Sequence, residues 1–227
     1  MKELEIEVWS DVACPWCYVG KRRLEGALAT LPDVKVQVVW RAFELDTKAP
    51  RLRANDSSYA ERLAKKYGTS LSQAQGMISR MMGVAKEEGI EMRYDRIQSG
   101  NTFDAHRLLR FALTRDPEGP LQSALKERLL RGYFTEGEAI GEVDVLVRLG
   151  SEIGLPEAET RAMLESDAHF ADVRADEDEA RELGITGVPF FAVDARYAIP
   201  GAQSVSVIRS VLDRALSDAS SDAHGVA

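Results

Sequence analysis

Hydrophobic and polar positions alternate at the start of the chain. In "LEIEVWSDV", Leu4, Ile6 and Val8 alternate with Glu5, Glu7 and Trp9, the period-two pattern of a strand. The spacing becomes helical in "YVGKRRLEGALATL", where Tyr18, Leu24, Ala27, Leu28 and Leu31 share a face until Pro32-Asp33 breaks it. Alternation returns at Val34, Val36 and Val38 of "VKVQVVWRAFEL". Strand, helix and strand in about 45 residues predict a βαβ unit with parallel strands.

From about Asp56 to Leu183 the pattern is helical, apart from a short stretch of extended character at Ile90–Tyr94. Ser58 with Glu61, and Ser70 with Gln73, have the spacing of capping boxes, and Gly68 and Gly89 close the helices they open. Further helices are predicted over 102–114, 120–133, 142–153, 156–165 and 170–183, with Pro120 and Pro156 as first helical residues. Met77, Ile78, Met81, Met82 and Ala85 share a helical face. Core packing is its commoner use, and an adaptable peptide-binding surface the rarer one.

After Gly184, "GVPFFAVD" and "RYAIPG" predict two strands joined by a tight turn at Asp194-Ala195. A final helix carries Val205, Ile208, Val211, Leu212 and Ala215 on one face, and the tail "ASSDAHGVA" is expected to fray. The whole reads as an α/β unit, residues 1–50 plus 175–227, interrupted by an all-helical insertion at 51–174.

Composition narrows the function. The 227 residues include 29 Lys and Arg against 37 Asp and Glu, a net charge of −8. With no concentrated basic stretch, nucleic acid is not an expected partner. No apolar run reaches the roughly 18–20 residues of a membrane helix. Glu3, Glu5 and Glu7 interrupt the N-terminal apolar positions, so this segment reads as mature structure rather than a secretory leader, and a cytoplasmic location is expected. Structural disulfides are rare there, so a CxxC pair points to catalysis or metal binding.

That pair is Cys14 and Cys17, in "SDVACPWCYVG". It follows a strand and opens a helix of a βαβ unit, the setting of a redox pair. At a helix N-terminus, unpaired N–H groups and the positive end of the dipole stabilise a thiolate. Pro15 suits the first helical position and leaves Cys14 at the cap. Cys14 is then the outer, attacking thiol and Cys17 the more buried, resolving one. Half of a zinc site is a weaker reading, because His106, His169 and His224 show no paired ligand spacing. Merely structural cysteines are the other alternative. Asp11, three residues before Cys14, has three available roles: capping the turn, accepting a proton, or opposing the thiolate by repulsion. Capping is the most usual.

Four segments, "WSDVACPWCYVG", "NTFDAHRLLRFA", "YFTEGEAI" and "GITGVPFFAVDARYAIPGAQ", make the chain resemble the DsbA/FrnE family of thiol–disulfide oxidoreductases, related to 2-hydroxychromene-2-carboxylate isomerases. The resemblance covers nearly the whole chain. It implies a thioredoxin-like fold with a helical insertion, and a cis-proline opposite the redox pair. "GVP" places Val188 and Pro189 there, with backbone to which an extended substrate can pair; the plainer alternative is a proline that starts a strand. Asn101 and His106 belong to the family-like "NTFDAH" run. Asn101 reads as a substrate contact or a turn residue, and His106 as a substrate contact, a proton carrier or a structural histidine. Trp16 stands where periplasmic members have histidine. It offers one neutral N–H and an apolar face, so a milder oxidant is expected. Trp16, Tyr18, Phe190 and Phe191 are available for an apolar rim or for the core, with Trp16 the one expected to be exposed.

The expected activity is thiol–disulfide exchange with protein or small-molecule substrates. No bound metal or organic cofactor is expected, and glutathione or another thiol is the expected co-substrate. Two rivals remain open: a glutathione-dependent isomerase or transferase that needs a single nucleophile, and a non-catalytic peptide-binding protein.

Overall fold

The computed structural model describes the backbone of residues 2–54 and 57–224, and the side chains of residues 3–54 and 57–218. The proposed helical start at Asp56, the His224 side chain and the last three residues lie outside them. The first strand, β1 (Lys2–Ser10), leads into α1 (Pro15–Leu28), which returns to β2 (Val34–Ala42). Leu4 pairs with Val36, Ile6 with Val38 and Val8 with Trp40, in parallel. Seven helices follow: α2 (Tyr59–Tyr67), α3 (Leu71–Glu87), α4 (Phe103–Arg115), α5 (Pro120–Arg131), α6 (Val143–Ser151), α7 (Glu157–Leu164) and α8 (Phe170–Glu182). The chain then forms β3 (Phe190–Val193), β4 (Tyr197–Pro200) and α9 (Val205–His224). The sheet order is β2-β1-β3-β4, with β3 antiparallel to both β1 and β4.

The capping boxes form as read: Ser58 and Ser70 accept from the amides of Glu61 and Gln73, whose side chains reach back. Asp194 and Ala195 both take positive φ, and the Arg196 amide bonds to the Val193 carbonyl at 3.0 Å, closing the tight turn between the strands. Three expectations change. Residues 90–94 form no strand, because the Arg93 amide bonds to Phe134 O at 2.7 Å and Thr135 takes the Glu91 carbonyl at 2.6 Å, so this backbone is satisfied by a helix end. That end is a π turn, Gly132–Glu136, following α5. Pro156 is the cap of α7 rather than its first residue. The last helix runs through residues expected to fray, since no proline or glycine follows Gly201 before Gly225.

Two large buried clusters result. One joins β1 and β3 to α1 and α9, through Ile6, Val8, Leu24, Phe191, Ile208 and Leu212. The other fills the helical region and reaches Val12, Tyr18 and Val19 of the β1–α1 segment. Of the methionine-rich face, Met81 and Ala85 are buried, whereas Met82 is exposed. The outer edge of β2 is closed by side chains. Gln122 of α5 accepts from the Trp40 amide and donates to its carbonyl, both at 2.9 Å, and Asp176 of α8 accepts from the Ala42 amide at 3.0 Å. Among the described residues no helix is long and apolar enough to cross a membrane.

Candidate active site

The pairing of β1 with β3 brings distant residues together. Trp9 lies opposite Phe190 in an antiparallel register, so the chain leaving β1 faces the chain entering β3. The first carries Cys14 and the second Val188-Pro189, a cis peptide bond. The Cys14 thiol points at the Val188 carbonyl at 3.6 Å.

Cys14 is the N-cap of α1, with Pro15 in the first turn, and its carbonyl accepts from the Cys17 amide at 3.1 Å. Cys14 and Cys17 lie 3.4 Å apart as free thiols. Their surroundings differ. Cys14 is 4% exposed and borders Trp16, which is 45% exposed, whereas Cys17 is wholly buried. Burial pushes the Cys17 thiol far up, and its hydrogen bond to Cys14 adds to this, with Lys126 opposing. Cys17 therefore rests as a thiol.

Lys126, from α5, is a residue that the sequence reading does not single out. It is completely buried, with Nζ 3.5 Å from the Ser10 carbonyl and 5.6 Å from the Trp40 ring centre. Burial lowers its ammonium to about 8, although Cys17, Asp11 and Cys14 all attract its charge. Its signal is faint but present: Lys126 shares a helical face with Leu125, Leu129 and Leu130, and Gln122 is the other polar residue buried with them.

Asp11 is buried and ties the site together. One carboxylate oxygen accepts from Ala13 N at 3.3 Å and the other from Leu45 N at 2.8 Å, so it caps the turn before Cys14. Burial opposes its charge, but His106, the Leu45 amide and Lys126 prevail and hold its carboxyl below the usual range. His106 Nε2 lies 3.5 Å from Asp11 Oδ1, an ion-pair distance with no hydrogen bond formed. The His106 ring is 1% exposed. Asn101 donates to Glu44 at 3.1 Å and accepts from the Phe103 amide at 2.8 Å. Burial and the Glu177 charge raise the Glu44 carboxyl, against Arg174, which bonds it at 2.8 Å.

Of the four aromatic residues named for a rim, Trp16 alone is exposed. Phe191 is core, Phe190 packs edge-on to Trp9, and Tyr18 donates to Glu127 at 2.8 Å. Tyr59 and Tyr94 pack on each other with ring centres 4.8 Å apart. Burial raises both phenols, and neighbouring tyrosines and Cys14 add to it.

Gly20 also has a site role. A Cβ there would meet Pro189 Cγ at 2.8 Å and Phe191 Cζ at 3.2 Å. Only glycine lets α1 press the cysteines against the Val188-Pro189 segment. Gly20→Ala is expected to cost about 1–3 kcal/mol of stability by overpacking. Urea melts of the two proteins check this. Unchanged stability would mean that the ring moves aside freely.

The model of the DSBA-like thioredoxin domain matches residues 5–213. The Bacillus subtilis protein YwbO is 30% identical over 220 residues, covering 95% of this chain and 96% of its own. The crystal structure of the probable DsbA oxidoreductase SCO1869 from Streptomyces coelicolor is 42% identical, covers 93% of this chain and 89% of its own, and superposes with a TM-score of 0.83. The cytosolic disulfide reductase DsbM from Pseudomonas aeruginosa, solved with glutathione, shares the fold at 19% identity and a TM-score of 0.64, over 93% of this chain and 98% of its own.

Proposed function

The chain belongs to the DsbA-like thioredoxin domain family, and from that premise we propose that it is a cytoplasmic thiol–disulfide oxidoreductase. It exchanges disulfides with protein or small-molecule thiols through Cys14 and Cys17. The observation that carries this is the asymmetric pair. One thiol caps a helix beside the Val188 carbonyl, and the other lies 3.4 Å away, buried near a lysine.

The Cys14 thiolate attacks one sulfur of a substrate disulfide. A Cys14–substrate disulfide forms, and the other substrate sulfur leaves as a thiolate. Cys17 then loses its proton and attacks Cys14, closing the Cys14–Cys17 disulfide and releasing the second substrate thiolate. The Lys126 charge favours the anion that Cys17 must become. The backbone at Val188-Pro189 offers an extended substrate a strand-like edge beside the reacting sulfur. Exchange needs no metal or organic cofactor, and glutathione or a similar thiol regenerates the starting form. A single-nucleophile isomerase has no use for a second thiol buried beside a cation, so the setting of Cys17 favours exchange. Equilibration of the Cys14–Cys17 pair with glutathione buffers tests the reading.

A further inference from the structure

His106 is a buried titratable group that disulfide exchange as written above does not use. Three strands of observation meet on it. Its ring is 1% exposed, its Nε2 has no hydrogen-bond partner, and that nitrogen is 3.5 Å from a carboxylate that is itself 2% exposed. A buried carboxylate without a counter-charge is costly and acts on neighbouring anions. The carboxylate is that of Asp11, whose side chain holds the Ala13 amide and whose carbonyl accepts from the Cys14 amide at 3.3 Å.

We propose that His106 is a positioning residue for the redox pair: its protonated ring neutralises Asp11 beside the Cys14 turn and so sets how readily Cys14 becomes a thiolate. The inference rests on the exchange reading above. It also gives Trp16 a context. This chain has no histidine between its cysteines, and the cation that could stand there is instead behind the turn, coupled through a carboxylate.

The charged groups around His106 are distributed over four elements. Asp11 faces it from the β1–α1 turn and Glu44 from the segment after β2, while the charge of Lys126 in α5 also acts on Asp11. Arg174 and Glu177 of α8 bracket Glu44. On its own helix, Arg107 is taken up by Asp104 and by the carbonyls of residues 163, 164, 166 and 168. With Glu44 already matched by Arg174, Asp11 is the anion whose balance rests on His106 and Lys126.

The proton balance is explicit. Reducing the Cys14–Cys17 disulfide with two glutathione thiols delivers two electrons and two protons and yields glutathione disulfide. When Cys14 is left as a thiolate, one proton goes to Cys17 and the other is released. A new negative charge near Asp11 raises the proton affinity of His106, which takes up part of that released proton. By reciprocity, a protonated His106 favours the Cys14 thiolate by the same factor.

The test uses the whole chain, with only His106, His169 and His224 to resolve. NMR titration of His106 in the oxidised and reduced protein is expected to give a higher midpoint in the reduced form. Identical midpoints overturn the proposal. Alkylation of Cys14 by iodoacetamide across pH 4–9 supplies the second readout. His106→Gln is expected to move its midpoint up by about one pH unit, making alkylation about tenfold slower at acidic pH. The double variant D11N/H106Q is expected to return to within about twofold of the unaltered protein, since removing Asp11 removes what His106 balances. A packing role alone predicts lower stability with an unmoved profile, or no rescue, and either result overturns the proposal. Should His106→Gln not fold, Asp11→Asn alone is expected to lower the midpoint, and an unmoved midpoint counts against it. Failure of the unaltered protein to form any Cys14–Cys17 disulfide sinks the exchange reading itself, a separate outcome.

Discussion

Replacing Cys14 with serine is expected to lower disulfide-exchange turnover by about a thousandfold or more, the scale seen when a covalent nucleophile is removed. The reason is positional. Cys14 sits at the N-terminus of α1 beside Trp16 and the Val188 carbonyl, while Cys17 is enclosed in the core. Cys17 cannot take over the attack, because no substrate sulfur reaches it. Cys17→Ser is expected to fail differently. Attack by Cys14 persists, no internal thiol resolves the product, and a stable mixed disulfide accumulates. Mass spectrometry after incubation with glutathione disulfide distinguishes the two: no adduct on Cys14→Ser, one glutathione adduct on Cys17→Ser. Full turnover by Cys17→Ser on an aromatic substrate with glutathione would move the protein to the single-nucleophile isomerases.

The second large effect concerns Lys126. Burial lowers its ammonium from 10.5 to about 8. Below pH 8 the folded and unfolded chains both hold this proton, and the folded chain bears the full cost of the buried charge. Between about 8 and 10.5 the unfolded chain still holds a proton that the folded chain has lost, so stability rises with pH. Above 10.5 the cost is gone. It amounts to about 3 kcal/mol at most. Lys126→Met keeps the volume and removes the charge. It is expected to be more stable than the unaltered protein by about 1–3 kcal/mol at pH 7, with the advantage gone above about pH 10.5. Asp11 keeps His106 and the Leu45 amide, which limits the countervailing loss. The same change is expected to slow closure of the Cys14–Cys17 disulfide about tenfold, because Cys17 loses a neighbouring cation as its proton leaves. Urea melts at pH 7, 9 and 10.5, with acid-quenched exchange, measure both. A variant less stable at pH 7, or one that closes at the normal rate, contradicts this account of Lys126.

These effects show what the sequence could carry. Strand β1, helix α1 and strand β2 were legible because each keeps one hydrophobic period over its length. The Asp194-Ala195 turn was legible because two short alternating runs leave room for nothing else. The π turn at Gly132–Glu136 was not, since it continues an α-helical pattern and differs only in where its carbonyls bond. Residues 90–94 looked extended, yet they bond to that turn rather than to a strand, which no local pattern reports.

The same division holds in the site. Cys14, Cys17 and Asp11 are close in sequence and were readable together. Val188 and Pro189 rested on resemblance until the Trp9–Phe190 register placed them. Asn101 and His106 share the "NTFDAH" run, but the partner of each, Glu44 for Asn101 and Asp11 for His106, comes from another segment and joins it only after folding. Lys126 lies on the apolar face of its helix, but a lysine there reaches solvent as readily as a core, and its burial depends on packing against Trp40 and Ser10. Gly20 is a glycine near the start of a helix, and its purpose appears only when Pro189 arrives against it.

The most direct test of the central claim is the redox equilibrium of the pair. The protein is equilibrated in glutathione buffers of graded ratio, quenched with acid, alkylated and weighed. The expected result is a reversible, two-electron interconversion between a form with two alkylated thiols and a form with an intramolecular Cys14–Cys17 disulfide. Recovery of two free thiols, or of glutathione adducts alone, at every ratio would contradict it.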